Sequence, residues 1–151
     1  MFSRIVSGGQ TGADRAALDF ALAKGVEHGG WCPKGRRAED GRLPERYRLL
    51  ETPERNYRQR TEWNVRDSDG TLIVINQELS GGTRYTLDMA RKLGKPFLLM
   101  EKGGREKEKE LLDWLENNRV QVLNVAGPRS STEPEIYGMT LKLLEAVYRS
   151  R

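Results

Sequence analysis

The chain has 151 residues, which suits one domain around a single core, and its 32% of charged residues leave a net charge of only +4. Acids and bases are interleaved, no basic stripe carries aromatics, and no run nears the ~20 apolar residues of a membrane span, which excludes nucleic acid and membrane as partners. A single cysteine excludes an internal disulfide and a Cys-rich metal site, and the lack of a basic-then-apolar leader makes the cytoplasm the expected location.

Residues 3–7 read as a first strand, and residues 11–24 as a helix with small residues (Ala16, Ala17, Ala21) on one face and Gly25 at its end. The turn between them is Gly8-Gly9-Gln10-Thr11-Gly12-Ala13-Asp14. Its glycines allow backbone N–H groups to converge on one ligand, and the helix start adds a positive dipole end, a combination that favours phosphate. The spacing is neither that of a dinucleotide fingerprint nor that of a Walker loop. Thr11 with Asp14 has the form of a capping box, so Asp14 has two readings, helix cap or ligand contact.

A second strand is expected over residues 26–31, carrying the lone histidine, His28, which has no partner at ligand spacing and reads as structural. From residue 32 to 56 the periodicity is lost among Pro33, Gly35, Gly41, Pro44 and Pro53. A long loop of this kind leaving a strand end is a candidate functional segment, and Lys34, in a basic cluster with Arg36 and Arg37, is its candidate anion contact. Cys32 reads as a small buried residue. Residues 57–67 form a helix whose Tyr57, Arg60, Thr61 and Asn64 share one polar face, and Arg60, Thr61 and Asn64 are candidate ligand contacts.

The third strand, residues 71–75, runs into a second glycine turn through Asn76, Ser80, Gly81, Gly82 and Thr83, followed by a helix to about residue 92 that carries Thr86. A fourth strand at 97–100, a charged helix entry at 101–110 leading to residue 117, a fifth strand at 120–125 and a final helix from residue 134 complete the chain. Short apolar strands alternating with helices predict one α/β domain over residues 1–151, a three-layer Rossmann-like sandwich around a five-stranded parallel sheet. The expected order is 2-1-3-4-5, which makes the first and third strands neighbours and aims both glycine turns at one crevice. The pocket so implied holds backbone donors, the amides Gln10 and Asn76, hydroxyls and a few cations, a set suited to a small phosphorylated anion and short of catalytic groups.

Residues 8–19, 57–73 and the stretch Ser80-Gly81-Gly82-Thr83-Arg84-Tyr85-Thr86 together resemble the molybdenum cofactor carrier family, within the Rossmann-like lysine-decarboxylase-like superfamily. The resemblance covers most of the chain. It implies a binding protein for molybdenum cofactor (molybdopterin, a phosphorylated pterin with molybdenum) and a homo-oligomer, tetramer or dimer. The candidate binding set, read from the two turns, the loop and the helix face, is Gly8, Gly9, Gln10, Thr11, Gly12, Lys34, Arg60, Thr61, Asn64, Asn76, Ser80, Gly81, Gly82, Thr83 and Thr86, and the resemblance implies no protein thiolate as a ligand to the metal. The superfamily's phosphoribohydrolase motif P-G-G-x-G-T-x-x-E aligns with residues 80–88, but the proline, the third glycine and the threonine are replaced and the acid is Asp88. That leaves two alternatives, a nucleoside-monophosphate N-glycosidase using Asp88 or Asp14, and a nucleotide-sensing module without chemistry.

Overall fold

The structure, a computed structural model, describes residues 1–79, 81–101 and 104–150. Five strands form one parallel sheet: β1 (Arg4–Val6), β2 (Glu27–Gly29), β3 (Gly70–Val74), β4 (Phe97–Met100) and β5 (Val122–Ala126). Five helices cover it: α1 (Ala13–Lys24), α2 (Tyr57–Arg66), α3 (Gly81–Lys92), α4 (Arg105–Asn117) and α5 (Ile136–Arg149). The charged approach to α4 expected from residue 101 includes Lys102 and Gly103, which lie outside the described residues.

Every residue of β3 is buried, as a parallel strand covered on both faces must be. Leu72 and Val74 point into a core shared with Ala17 and Phe20 of α1, Leu111 of α4 and Leu144 of α5. Ile73, on the alternate face, meets Leu87 of α3, and α2 joins that side through Val65 against Met89 and Ala90. The molecule is therefore the expected three-layer α/β sandwich, with α1, α4 and α5 on one face and α2 and α3 on the other.

The strand order is not the expected one. It is β2-β1-β5-β3-β4, so β1 and β3 are not neighbours and the last strand lies between them. Ile5 faces Leu123 across one side of β5, and Leu72 faces Val125 across the other. Short apolar runs carry no record of which partner they take, and the crossover through α4 is long enough to bring the chain from the β4 edge back to the middle. Counted from β5 as first strand, the order reads 3-2-1-4-5, that of a doubly wound nucleotide-binding sheet. The topology is thus a doubly wound sheet whose first βα unit has moved to the end of the chain. The two ends of the chain meet on α1, where Phe20 packs against Phe2 at 6.4 Å and Tyr148 at 5.5 Å between ring centroids.

The segment with no periodicity, 32–56, is a packed side lobe. Trp31–Cys32 pairs in parallel with Leu50–Glu51, and Arg37–Ala38 turns back on Gly41–Arg42. Leu18 of α1, Cys32, Leu43, Tyr47 and Leu49 form its core. Arg36 is buried there and donates to the carbonyls of Leu43, Pro44, Tyr47 and Leu49 at 2.7–3.3 Å. A cation read from sequence as one of a basic cluster on a loop is the brace that holds the lobe's irregular backbone.

Two outcomes follow. A chain whose ends are joined by a short Gly/Ser linker and reopened between Asn118 and Gln121 should fold to the same sheet, with far-ultraviolet dichroism unchanged. Arg36→Met, which leaves buried carbonyls without donors, should cost about 3 kcal/mol in urea unfolding and expose the lobe to proteolysis first.

Candidate functional site

Where the winding of a doubly wound sheet reverses, two successive helices leave on opposite faces and a crevice opens beyond the strand ends. Here that point lies between β5, which leads to α5, and β3, which leads to α3. A cleft of about 280 Å³ occupies it, lined by both glycine turns, by α2 and by the upper part of β5 with the loop that follows. Both turns reach it although β1 and β3 are separated by a strand.

Arg60 is the central cation. Its guanidinium lies along the backbone of Gly8, where a Cβ would fall 1.9 Å from Nη1, so any side chain at Gly8 displaces it. Nη1 donates to Asp14 Oδ2 at 3.4 Å, and both side chains are about nine-tenths buried. Arg60 Nε is buried with no partner, a donor without an acceptor. Asp14, in the first turn of α1, also accepts the Gln10 backbone N–H at 3.3 Å. Burial pushes the Asp14 carboxyl up to about 6, against the opposing pull of Arg60, Arg15 and Arg129.

The expected site residues divide. Gly8, Gln10, Arg60, Thr61 and Asn64 line the cleft, as do Gly81, Gly82, Thr83 and Thr86. Of these, Asn64 is committed to the fold, accepting the Trp31 N–H at 2.8 Å and donating to the Trp31 carbonyl at 3.0 Å. Gln10 Oε1 is likewise taken by the N–H groups of Thr11 and Glu39. Thr86 Oγ1 donates to the Gly82 carbonyl within its own helix.

Five others lie outside the cleft lining, each for a packing reason. Gly9 packs toward Leu43 and Leu49 of the lobe. Thr11 bonds Glu39 and accepts the Ser130 N–H, which ties the first turn to the loop after β5. Gly12, at φ 87°, lets that loop approach, since a Cβ would sit 2.3 Å from the Pro128 carbonyl oxygen. Asn76 donates to Glu133 at 3.1 Å, and Lys34 is exposed on the lobe. Ser80 lies outside the described residues.

The capping box does not form. Gly12 occupies the cap of α1 with no side-chain bond, and Asp14 faces the cleft. Asp88 pairs with Arg84 on the outer side of α3, half exposed and away from the cleft. His28 accepts the Arg48 N–H, and Cys32 is buried with its thiol pushed up by burial, so neither is placed for chemistry.

The sequence reading assigned no site residue to β5 or to the loop after it. Asn124 of the strand and Gly127, Pro128, Arg129 and Thr132 of the loop all line the cleft. The available signal was Gly127-Pro128-Arg129-Ser130 after an apolar strand, a third strand-to-helix turn whose place in the sheet periodicity could not reveal.

The raised Asp14 carboxyl has a thermodynamic sign. Its folded value, about 6, exceeds the 3.8 of an ordinary solvated aspartate, so below pH ~4 both states are protonated and no penalty arises. Above pH 6 the folded state must carry a poorly solvated charge. Asp14→Asn should therefore stabilise the protein by on the order of 2 kcal/mol at pH 7.5 and by little at pH 4, as thermal melts at both pH values will show.

A search of curated proteins gives no match. A crystal structure of a "putative molybdenum carrier protein" from Syntrophus aciditrophicus SB matches at 48% identity with a TM-score of 0.91, over 97% of this chain and 94% of that one. The model of the circularly permutated YpsA SLOG family matches residues 5–148. The fold carries the mark of such a permutation, its first βα unit standing last in the chain. With that topology and a match over nearly its whole length, the chain belongs to the circularly permutated YpsA SLOG family.

Proposed function

We propose that this protein binds and carries molybdenum cofactor in the cleft between β5 and β3, as a soluble cytoplasmic homo-oligomer, tetramer or dimer. The observation that carries the reading is Arg60, a buried guanidinium with a free Nε–H laid over Gly8 beside the first turn of α3. A phosphate there accepts from Arg60 and from the unsatisfied N–H groups that begin any helix, at Gly82 and Thr83. Arg129 adds a second cation, and Thr61 and Thr83 add hydroxyls.

The residues present fit such a group. At about 280 Å³ the cleft lies near the lower end of the ~300–1,000 Å³ usual for ligand sites, so it takes a phosphate and one ring while the rest of the ligand stays outside. In this reading the molybdenum is cargo held by the pterin's own sulfurs, and the protein binds the organic part of the ligand. The likeness to a protein named as a molybdenum carrier supports the same reading.

The purified protein should carry pterin fluorescence after oxidation and should protect added cofactor. Arg60→Ala should weaken binding roughly 10- to 100-fold through loss of a charged hydrogen bond. Gly8→Ala should do nearly as much while barely moving the melting temperature, since the added methyl meets only the end of a flexible side chain. Absence of both fluorescence and protection would remove the proposal.

One observation favours a second reading, nucleoside-monophosphate hydrolysis. Asp14 is a carboxyl near 6 facing the cleft, the range useful to a general acid or base. Adenine release from adenosine monophosphate, abolished in Asp14→Asn, would establish it. The Asp88 form of that reading has no support, because Asp88 lies outside the cleft.

A further inference from the structure

A carboxylate in an anion site is at first sight a defect, and here it has no obvious structural need. Asp14 makes no cap for α1, and its contacts with Gln10 N at 3.3 Å and Arg60 Nη1 at 3.4 Å are both long for bonds to a charged oxygen, which run about 2.7–2.9 Å. The charged groups facing it are Arg15 from its own helix, Arg60 from α2 and Arg129 from the loop after β5. Arg15 is already engaged by Asp40 in a two-point pair and by the Gly9 carbonyl. Arg60 and Arg129 remain to meet a ligand, and any anion between them lies against Asp14.

Two negative groups in one poorly solvated place repel, and a proton shared between them removes that cost. We infer that the cleft selects an anion able to bring that proton, a phosphate or phosphate monoester whose O–H is shared with Asp14, and rejects fully deprotonated dianions such as sulfate and free molybdate. The inference rests on the anion-binding reading of the cleft and narrows its ligand class. A phosphate monoester has a second ionisation near 6, close to the range in which burial places the Asp14 carboxyl. Ligand and protein then hold one proton jointly over the neutral range. Sulfate has none to share, and leaves two charges opposed. Molybdenum in this cleft therefore travels on a phosphorylated organic carrier and not as the bare oxyanion.

Titration calorimetry on the full-length protein at constant ionic strength tests this with inorganic phosphate and sulfate at pH 6 and pH 8, and with molybdate at pH 8. The expected result is phosphate bound at least about tenfold tighter than sulfate or molybdate, its affinity falling as pH rises. Asp14→Asn, whose amide can donate, should bring sulfate to within a few-fold of phosphate. Sulfate matching phosphate on the wild type would overturn the selectivity without touching the anion site, and needs no variant. Preserved phosphate preference in a folded Asp14→Asn would overturn it as well. If neither anion bound the wild type at either pH, the anion-binding reading itself would fall, and this inference with it.

Discussion

The insertion of β5 between β1 and β3 is the constraint on which the rest of the structure depends. It is a short strand, but Leu123 and Val125 are fully buried and each meets a partner strand on a different side. Removing it would leave two half-sheets with unpaired inner edges, which parallel strands do not tolerate. Its position also brings the loop at residues 127–132 against the start of α1. Gly12 is needed for that contact, and the Thr11 bond to Ser130 secures it. The crevice is thus a product of the centre of the sheet, not of the turn that looks most like a ligand loop.

The cation in the crevice arrives from elsewhere. α2 starts at Asn56, whose side chain accepts the Arg58 N–H, and is pinned to the lobe by the two bonds of Asn64 to Trp31. Those anchors fix α2 along the crevice, and the side-chain direction of a helix then sets Arg60 over Gly8. The pairing is not built for stability. A buried ion pair with long contacts and a stranded Nε costs free energy that a packed apolar pair would not. Local inconsistency of this kind is characteristic of binding sites, where a ligand completes what the fold leaves open.

The lobe shows the opposite use of charge. Arg36 is as buried as Asp14, yet four carbonyls satisfy it and no ligand is needed. Lys34 on the same loop faces solvent. Two neighbouring cations of one sequence cluster thus serve the backbone and the surface, and the cations facing the cleft come from α2 and from the loop after β5. What distinguishes Arg60 is unsatisfied donor capacity inside a concavity, a property no sequence window contains.

By itself the sequence determined the layers. Apolar strands of four to six residues between helices admit only a covered parallel sheet, and the polar face of Tyr57, Arg60, Thr61 and Asn64 follows from helical spacing alone; all four line the cleft. Those features are local, set by periodicity within about ten residues. Only the tertiary structure decided the strand order, the commitment of Asn64 and Gln10 to backbone bonds, the withdrawal of Gly9, Thr11, Gly12, Lys34 and Asn76 from the cleft, and the entry of Arg129 into it. Each depends on which distant segments meet. An apolar strand buried on both faces carries the same pattern wherever it is inserted, so the choice of neighbour is made by the packing of the whole chain.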